Sequence, residues 1–354
     1  MERSELLEKL CNAHGPSGYE AEVREMLESI LAPYVDSMST DVLGNLIVWR
    51  RGEGENLPVL MLDAHMDEVG FVVSHVEKDG FLRFAPLGQF DERVLPAQRV
   101  QIKTRGGEKI IGVIGATPPH IQSSEGRRSP YPLETLFIDI GAKDAQEVAS
   151  RGVRIGDSGV LYQPFTEIAQ GIVTGKAFDD RVGCAILAEV LIQLAVETRL
   201  PFDVVGVFST FEETGARGAM VAAFGVAPQV ALVLEGTVAA DVPGVPESRC
   251  PSVMGKGPAI TLIDKYTHCH PELVAFLEDI AADELIPYQI KRPIFGGTDG
   301  ARIHTSRAGV KTATVSVPCR YIHSPICVMS MQDYDAAVRL VHSFVRRAEK
   351  LFVK

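Results

Sequence analysis

A run of β-branched and aromatic residues, Val204-Val205-Gly206-Val207-Phe208-Ser209-Thr210-Phe211, stops at two adjacent carboxylates, Glu212 and Glu213. Thr214-Gly215 and a helix-compatible stretch, Ala216 to Phe224, follow. This sequence constrains the fold more than any other part of the chain. The run reads as a buried strand, and in open α/β sheets chemistry gathers just past the carboxyl ends of strands. Neighbouring strand residues face opposite sides, so the two glutamates are expected to divide their work, one on a metal and one on a proton. A solvated strand end is the plainer alternative, and only the rest of the chain can decide between them.

Similar arrangements recur. Pro58 to Leu62 is a short apolar run leading into Asp63-Ala64-His65-Met66-Asp67-Glu68. His65 and Asp67 are two apart and face the same way on an extended chain. That suits a metal-ligating imidazole oriented by a carboxylate, or a core histidine beside a surface acid. Ala177-Phe178-Asp179-Asp180-Arg181-Val182-Gly183 opens an apolar helix, Val182 to Ala195. Its aspartates read as N-cap residues, or as including one carboxylate that bridges two cations. Val230 to Leu234 is a buried strand ending in Glu235, and Thr312 to Val317 is another, leading to His323. His65, Asp179, Glu213, Glu235 and His323 thus all lie at predicted strand ends or at a helix start beside one. Two imidazoles and three carboxylates suit a pair of divalent ions such as Zn, Co or Mn.

From Gly70 the pattern changes. Phe71 to His75, Phe81 to Ala85, Arg99 to Thr104, Ile110 to Ile114, Thr135 to Ile140 and Ser158 to Tyr162 are short strands between Gly and Pro turns, with a single short helix at Ala145 to Arg151. That spacing predicts a small all-β sandwich or barrel. It contains a polar, Pro-rich loop from Thr117 to Pro130 and no ligand constellation. Its expected role is to cover the site or to contact another subunit. Two domains follow: residues 1-68 with 166-354, and an insert at 69-165. Two other segments read as structural. His268-Cys269-His270 caps the helix Pro271 to Glu284, and Phe295-Gly296-Gly297-Thr298-Asp299-Gly300 is a turn close to a ligand, lacking the context of a nucleotide loop.

With 354 residues, the chain exceeds the usual single-domain size. A formal charge of −11 argues against nucleic-acid partners. Six scattered cysteines without a C-x-x-C pair suggest buried thiols in a reducing compartment. The charged N-terminus is unlike a signal peptide, and no apolar run approaches the ~18 residues a membrane helix needs. A cytoplasmic location is expected.

The ordered motifs Asp63-Ala64-His65-Met66-Asp67-Glu68, Ala177 to Gly183, Phe211-Glu212-Glu213-Thr214-Gly215, and His323-Ser324-Pro325 resemble the tetrahedral aminopeptidases, also catalogued as cellulase M or glutamyl aminopeptidases. The resemblance runs nearly end to end. It implies a mixed-sheet, three-layer αβα catalytic domain with a barrel-like β insert serving as a dimerisation domain, and assembly as dimers or a hollow dodecamer. It also implies that Asp179 bridges two metals, with Glu213 and His323 on one and His65 and Glu235 on the other. Asp67 would orient His65 or tune the site, Glu212 would be the general base, and Thr237, Phe295 and Gly297 would lie near the substrate pocket. The family commonly has aspartate where this chain has Glu235, one methylene longer.

The implied chemistry is hydrolysis of N-terminal residues from short peptides by two ions, typically ~3.5–4 Å apart, that activate a water and polarise a carbonyl. A free α-amine is easily neutralised by a metal or flanking acids, which favours an aminopeptidase over an endopeptidase. Deacylation of N-acyl amino acids on the same metals is an alternative. Glycoside hydrolysis is disfavoured, because it needs two carboxylates across a sugar and adjacent strand residues point apart. A non-catalytic, metal-stabilised scaffold would leave Glu212 without a role.

Overall fold

The computed structural model describes residues 3–122, 129–292 and 296–352. Its helices are α1 (Arg3–Asn12), α2 (Ala21–Leu31), α3 (Ala145–Ser150), α4 (Phe178–Ala195), α5 (Arg217–Val226), α6 (Pro271–Asp283), α7 (Gly300–Ile303) and α8 (Met331–Arg347). The first strands are β1 (Ser37–Thr40), β2 (Leu46–Arg50) and β3 (Val59–His65). Next come β4 (Gly70–Val76), β5 (Leu82–Leu87), β6 (Arg99–Lys103), β7 (Lys109–Gly115), β8 (Phe137–Asp139) and β9 (Ser158–Leu161). The chain continues with β10 (Thr166–Ala169), β11 (Ile172–Gly175), β12 (Asp203–Ser209), β13 (Val230–Val238), β14 (Ala259–Thr261), β15 (Gln289–Lys291), β16 (Lys311–Arg320) and β17 (Cys327–Ser330).

Two bodies of sheet result. Strands β4 to β9 close a six-stranded antiparallel barrel in the order β4-β5-β8-β7-β6-β9, around its own core of Phe71, Val100, Ile102, Ile138 and neighbours. The other eleven form a mixed sheet in the order β1-β2-β12-β3-β13-β16-β17-β11-β10, with β14 and β15 joined at β16. Strands β12, β3, β13 and β16 are mutually parallel. Their sequences are apolar at nearly every position because helices cover both faces. Alternation along each strand sorts the side chains. Leu60, Leu62, Leu232 and Leu234 pack under α1, α2, α4 and α8, while Met61, Val205, Val207, Ala231 and Val233 pack under α5 and α7. The expected three-layer αβα arrangement with a separate barrel is what the chain forms.

The topology positions the site. After β3 the chain leaves to build the barrel, returns through α4 to β12 on one side of β3, and crosses by α5 to β13 on the other. β3 therefore lies at a reversal of strand order, where open α/β sheets form a crevice at the carboxyl ends.

Three local expectations need correction. β12 ends at Ser209, short of Phe211, whose φ of +58° breaks the extended run. Glu212 and Glu213 lie in a turn, its Glu212 carbonyl accepting from the Gly215 and Ala216 amides at 2.8 and 3.0 Å. Glu235 lies inside a strand, because β16 is longer than its apolar run suggests and pairs with β13 as far as Val238 and Cys319. The short strands β10, β15 and β17 carry no period of their own and are recognised only by pairing. Part of the Pro-rich loop, residues 123 to 128, and Phe295 lie outside the described residues. All six cysteines are buried and free, and no helix among the described residues is long and apolar enough to cross a membrane.

His14 ties the N-terminal segment to the barrel through a 2.8 Å hydrogen bond between its Nε2 and Ser158 Oγ on β9. Burial, with Lys176 and Lys103 nearby, pushes its imidazole down to about 3. In the unfolded chain the same group takes a proton near the usual 6.5. Across that window the unfolded state binds the extra proton, so stability falls as pH falls. His14→Gln should remove roughly 1 kcal/mol of the stability lost between pH 6 and pH 5. Urea unfolding at the two pH values checks this, and an unchanged difference would contradict it.

Candidate metal centre

Each group reaches the crevice from a different element. His65 is the last residue of β3, and Asp179 opens α4. Glu213 lies in the turn after β12, Glu235 is in β13, and His323 follows β16. Asp179 and Asp180 depart from helical dihedrals, so the regular helix begins at Arg181. They are not simple cap residues, and their carboxylates turn to the crevice instead.

The Asp179 carboxylate sits between two imidazoles. Its Oδ1 is 3.2 Å from His65 Nε2, and its Oδ2 is 3.2 Å from His323 Nε2. Each imidazole has a second acid. Glu235 Oε2 is 3.6 Å from His65 Nε2, and Glu213 Oε1 is 3.5 Å from His323 Nε2. The longer glutamate at 235 therefore reaches the cluster. Two groups of potential ligands result, one of Asp179, Glu213 and His323, the other of His65, Glu235 and Asp180.

Asp180 was absent from the sequence-based set. It is fully buried, and its oxygens accept from the backbone amides of His65 at 3.2 Å and Gly183 at 3.0 Å. A Cβ at residue 183 would lie 2.4 Å from Asp180 Oδ2 and 2.7 Å from the Leu234 carbonyl, so glycine there leaves room for the carboxylate. Likewise Gly236 lets β13 lie against the Asp179 backbone, where a Cβ would come within 3.2 Å of Asp179 Cα.

Asp67 also serves more than one group. Its Oδ1 accepts from the Glu212 amide at 3.0 Å and lies 3.5 Å from His65 Nδ1. Its Oδ2 accepts from the Glu213 amide at 3.1 Å and from the Ser17 hydroxyl. The Asp67 carbonyl is 3.0 Å from His65 Nδ1 as well. Burial works to raise the Asp67 carboxyl, but His65, Ser17 and the Glu212 amide hold it below the ordinary range.

The electrostatics are those of a crowded acidic pocket. Burial, joined by Asp179, pushes Glu213 up to about 8 against the pull of His323. Burial and the nearby Asp180 and Asp179 raise Glu235, and burial with Asp299 and Glu213 raises Glu212. Burial alone would lower both imidazoles, but Glu235 and Asp179 raise His65, while Asp179 and Glu213 bring His323 to about 9. Asp179, with an imidazole on each side, is held low in spite of its burial. Glu213 Oε1 is buried without a hydrogen-bond partner. A hard or borderline dication fits this donor set, since it would partner the orphaned oxygen and offset the excess of acids.

The Glu212 carboxylate accepts no hydrogen bond from the described residues, although it lies in the same field as His65. Thr237 is buried two residues beyond Glu235 on β13, and a Cβ on Gly297 would meet the Tyr266 ring at 2.7 Å. His268, Cys269 and His270 form no metal-type group among the described residues. His270 is the N-cap of α6 without a side-chain cap bond.

The family model for the M42 glutamyl aminopeptidases matches residues 44–340. The chain belongs to that family. A lysyl aminopeptidase of Pyrococcus furiosus is 32% identical over 350 residues, covering 98% of each chain. A TET aminopeptidase structure from the marine-sediment Thaumarchaeota archaeon SCGC AB-539-E09 is 38% identical with a TM-score of 0.93, over 98% of this chain and 96% of that one. The TET1 peptidase of Pyrococcus horikoshii, which assembles into a tetrahedron or a large octahedral shell, is 32% identical with a TM-score of 0.83, over 97% and 99%. The M42 chain described here is thus similar to these proteins over its whole length, barrel included.

Burial raises Glu213 and the neighbouring acids raise His323, so cation binding is expected to displace protons from this cluster. Metal affinity should therefore rise from pH 6 to pH 8, with proton release. Calorimetry of Co or Mn binding in buffers of different ionisation enthalpy measures this, and binding that is independent of both pH and buffer would contradict it.

Proposed function

We propose that this chain is a metal-dependent aminopeptidase removing N-terminal residues from short peptides, with two divalent ions, Zn, Co or Mn, in the crevice. The observation that carries this reading is the Asp179 carboxylate, shared between two imidazoles that each have a glutamate of their own. In this reading Asp179 bridges, Glu213 and His323 hold one ion, and His65 and Glu235 hold the other. Asp180 and Asp67 hold the ligand-bearing backbone, and Asp67 also orients His65. Divalent ions here would supply Lewis acidity, making water a nucleophile near neutral pH and polarising the scissile carbonyl.

The protein's own groups account for the proton. Glu212, not engaged by other side chains and raised by burial, is suited to take a proton and deliver it to the departing amine nitrogen. The acids around it suit a substrate α-ammonium, which an internal peptide bond or an N-acylated substrate lacks. Thr237, Gly297 and Phe295 are assigned to the substrate pocket: Thr237 through its place beside Glu235, Gly297 through its packing under Tyr266, and Phe295 through the resemblance alone. The family includes relatives named for glutamyl and for lysyl substrates, so residue preference varies among its members.

For the assembly we propose residues 69-165 as the dimerisation unit and 1-68 with 166-354 as the catalytic one. Ile111 and Val113, alternate residues of β7, are exposed on the barrel's outer side, as an unformed subunit contact would be. The shells formed by the Pyrococcus horikoshii relative, and the dodecamer of the PhTET1-12s structure, support a homo-oligomer, which in this reading is built from dimers.

Glu212→Gln should keep both ions and the fold while turnover falls ~10²–10⁴-fold. Metal analysis beside kcat decides it, and parental activity would remove the base assignment. His323→Ala should lose one metal equivalent, and unchanged metal content would strike it from the ligands. Chelation should abolish cleavage of aminoacyl-p-nitroanilides, with recovery on adding Co, Zn or Mn. N-acetylated counterparts should resist cleavage, and their preferential hydrolysis would favour the deacylase.

A further inference from the structure

The segment Gly15-Pro16-Ser17-Gly18 breaks a helical pattern in the sequence and looks like a connector, yet it is built into the back of the metal centre. Ser17 is 3% exposed, and its hydroxyl donates to Oδ2 of Asp67, itself fully buried. That oxygen also accepts from the Glu213 amide, while Oδ1 accepts from the Glu212 amide and faces His65 Nδ1. A single carboxylate thus supports an imidazole and the two glutamates of the turn after β12. Among the described residues, Ser17 is the one side-chain hydroxyl that donates to it.

The position of Ser17 is held on every side. Gly15 O accepts from the Glu68 amide at 3.1 Å and from Arg181 Nη2 at 3.2 Å. Lys176 Nζ donates to Ala13 O at 2.8 Å, and Arg181 Nη1 to Leu10 O at 2.5 Å. Lys176 and Arg181 also both meet the buried Glu68 carboxylate, at 2.7 and 3.0 Å. Glu68 adjoins Asp67 and Arg181 adjoins Asp180, so the same ion triad ties the segment to two motifs of the centre. On the far side Glu20 Oε1 accepts from the Gly18 and Phe211 amides, at 2.7 and 3.4 Å.

We propose that Ser17 is a positioning residue of the metal centre, fixing the Asp67 carboxylate that aligns His65, Glu212 and Glu213, so that the N-terminal segment is part of the site. A carboxylate with no solvent contact must satisfy its lone pairs from protein donors. Losing the hydroxyl leaves Oδ2 with the Glu213 amide alone and frees the carboxylate to rotate off His65. Groups that support metal ligands in this way typically change affinity or activity 10–100-fold when removed.

This inference rests on the metallo-aminopeptidase reading, and the experiment separates the two. The chelated parent, Ser17→Ala and Ser17→Thr are titrated with cobalt, followed by the visible spectrum of the bound ion. Their thermal midpoints are compared, and kcat and KM are measured on a free aminoacyl-p-nitroanilide. Ser17→Ala should keep the parental midpoint within a few degrees and lose about tenfold or more in cobalt affinity, with an altered spectrum. Its kcat should fall with KM little changed, and Ser17→Thr should restore affinity and spectrum. Parental cobalt binding and spectrum in Ser17→Ala would overturn the proposal while leaving the aminopeptidase reading intact. A lower affinity accompanied by a collapsed midpoint, not rescued by threonine, would also overturn it, as the mark of a merely structural serine. A parent that binds two cobalt ions but cleaves nothing would sink the aminopeptidase reading alone, with the cobalt affinities still deciding on Ser17. A parent that binds no cobalt would overturn both.

Discussion

A buried carboxylate held between two imidazoles is the interaction on which the rest of this molecule turns. Around Asp179 the fold gathers Asp180, Glu212, Glu213 and Glu235, with two imidazoles among the described residues, His65 and His323, to balance them. Burying like charges is costly unless they are paired or protonated. Here they cannot move apart, because the start of α4, the turn after β12 and strand β13 that carry them are fixed in a tightly packed αβα sandwich. The sheet therefore imposes the acid-rich pocket, whose donor groups could hold dications. Stability and function pull in opposite directions at this point, as active sites commonly require.

A second layer makes the arrangement specific. Asp180 spends its oxygens on the His65 and Gly183 amides, and Asp67 spends its own on the Glu212 and Glu213 amides. These two acids hold backbone, and the backbone aims the side chains that face the crevice. Behind them lies the buried triad of Glu68, Lys176 and Arg181, whose spare donors reach the carbonyls of Leu10, Ala13 and Gly15. Such a triad adds little net stability compared with an apolar packing of the same volume. What it provides in this fold is a fixed register between the N-terminal segment, β3 and α4.

Much of this was legible in the sequence, for a definable reason. A parallel sheet covered on both faces makes its strands nearly continuous apolar runs, so a charged residue at the end of one stands out. His65, Glu213, Glu235 and His323 stand out that way as candidate ligands, and the barrel strands stand out by regular turn spacing. For Glu212 and Glu213 the fold departs from the geometry expected of adjacent strand residues. They do not alternate along a strand, because the chain turns at Phe211, and it is the turn that parts them. Asp180 and Ser17 were missed. A second aspartate at a helix start carries the same local signal as a cap, and a serine between a proline and a glycine the same signal as a loop. Their roles come from partners far away in the chain: for Asp180 the His65 amide, for Ser17 the Asp67 carboxylate. The barrel itself is expected, but its strand order β4-β5-β8-β7-β6-β9 is not legible in the sequence, since strand order is set by non-local pairing.

The central claim is that Asp179 lies between two cations. Crystals of the protein grown or soaked with Mn or Co, with anomalous difference density collected at the metal edge, test it most directly. The account predicts two peaks per chain, one on each side of the Asp179 carboxylate, the first within bonding distance of Glu213 and His323 and the second within that of His65 and Glu235. A single peak, or peaks that leave Asp179 unligated at full metal occupancy, would contradict it.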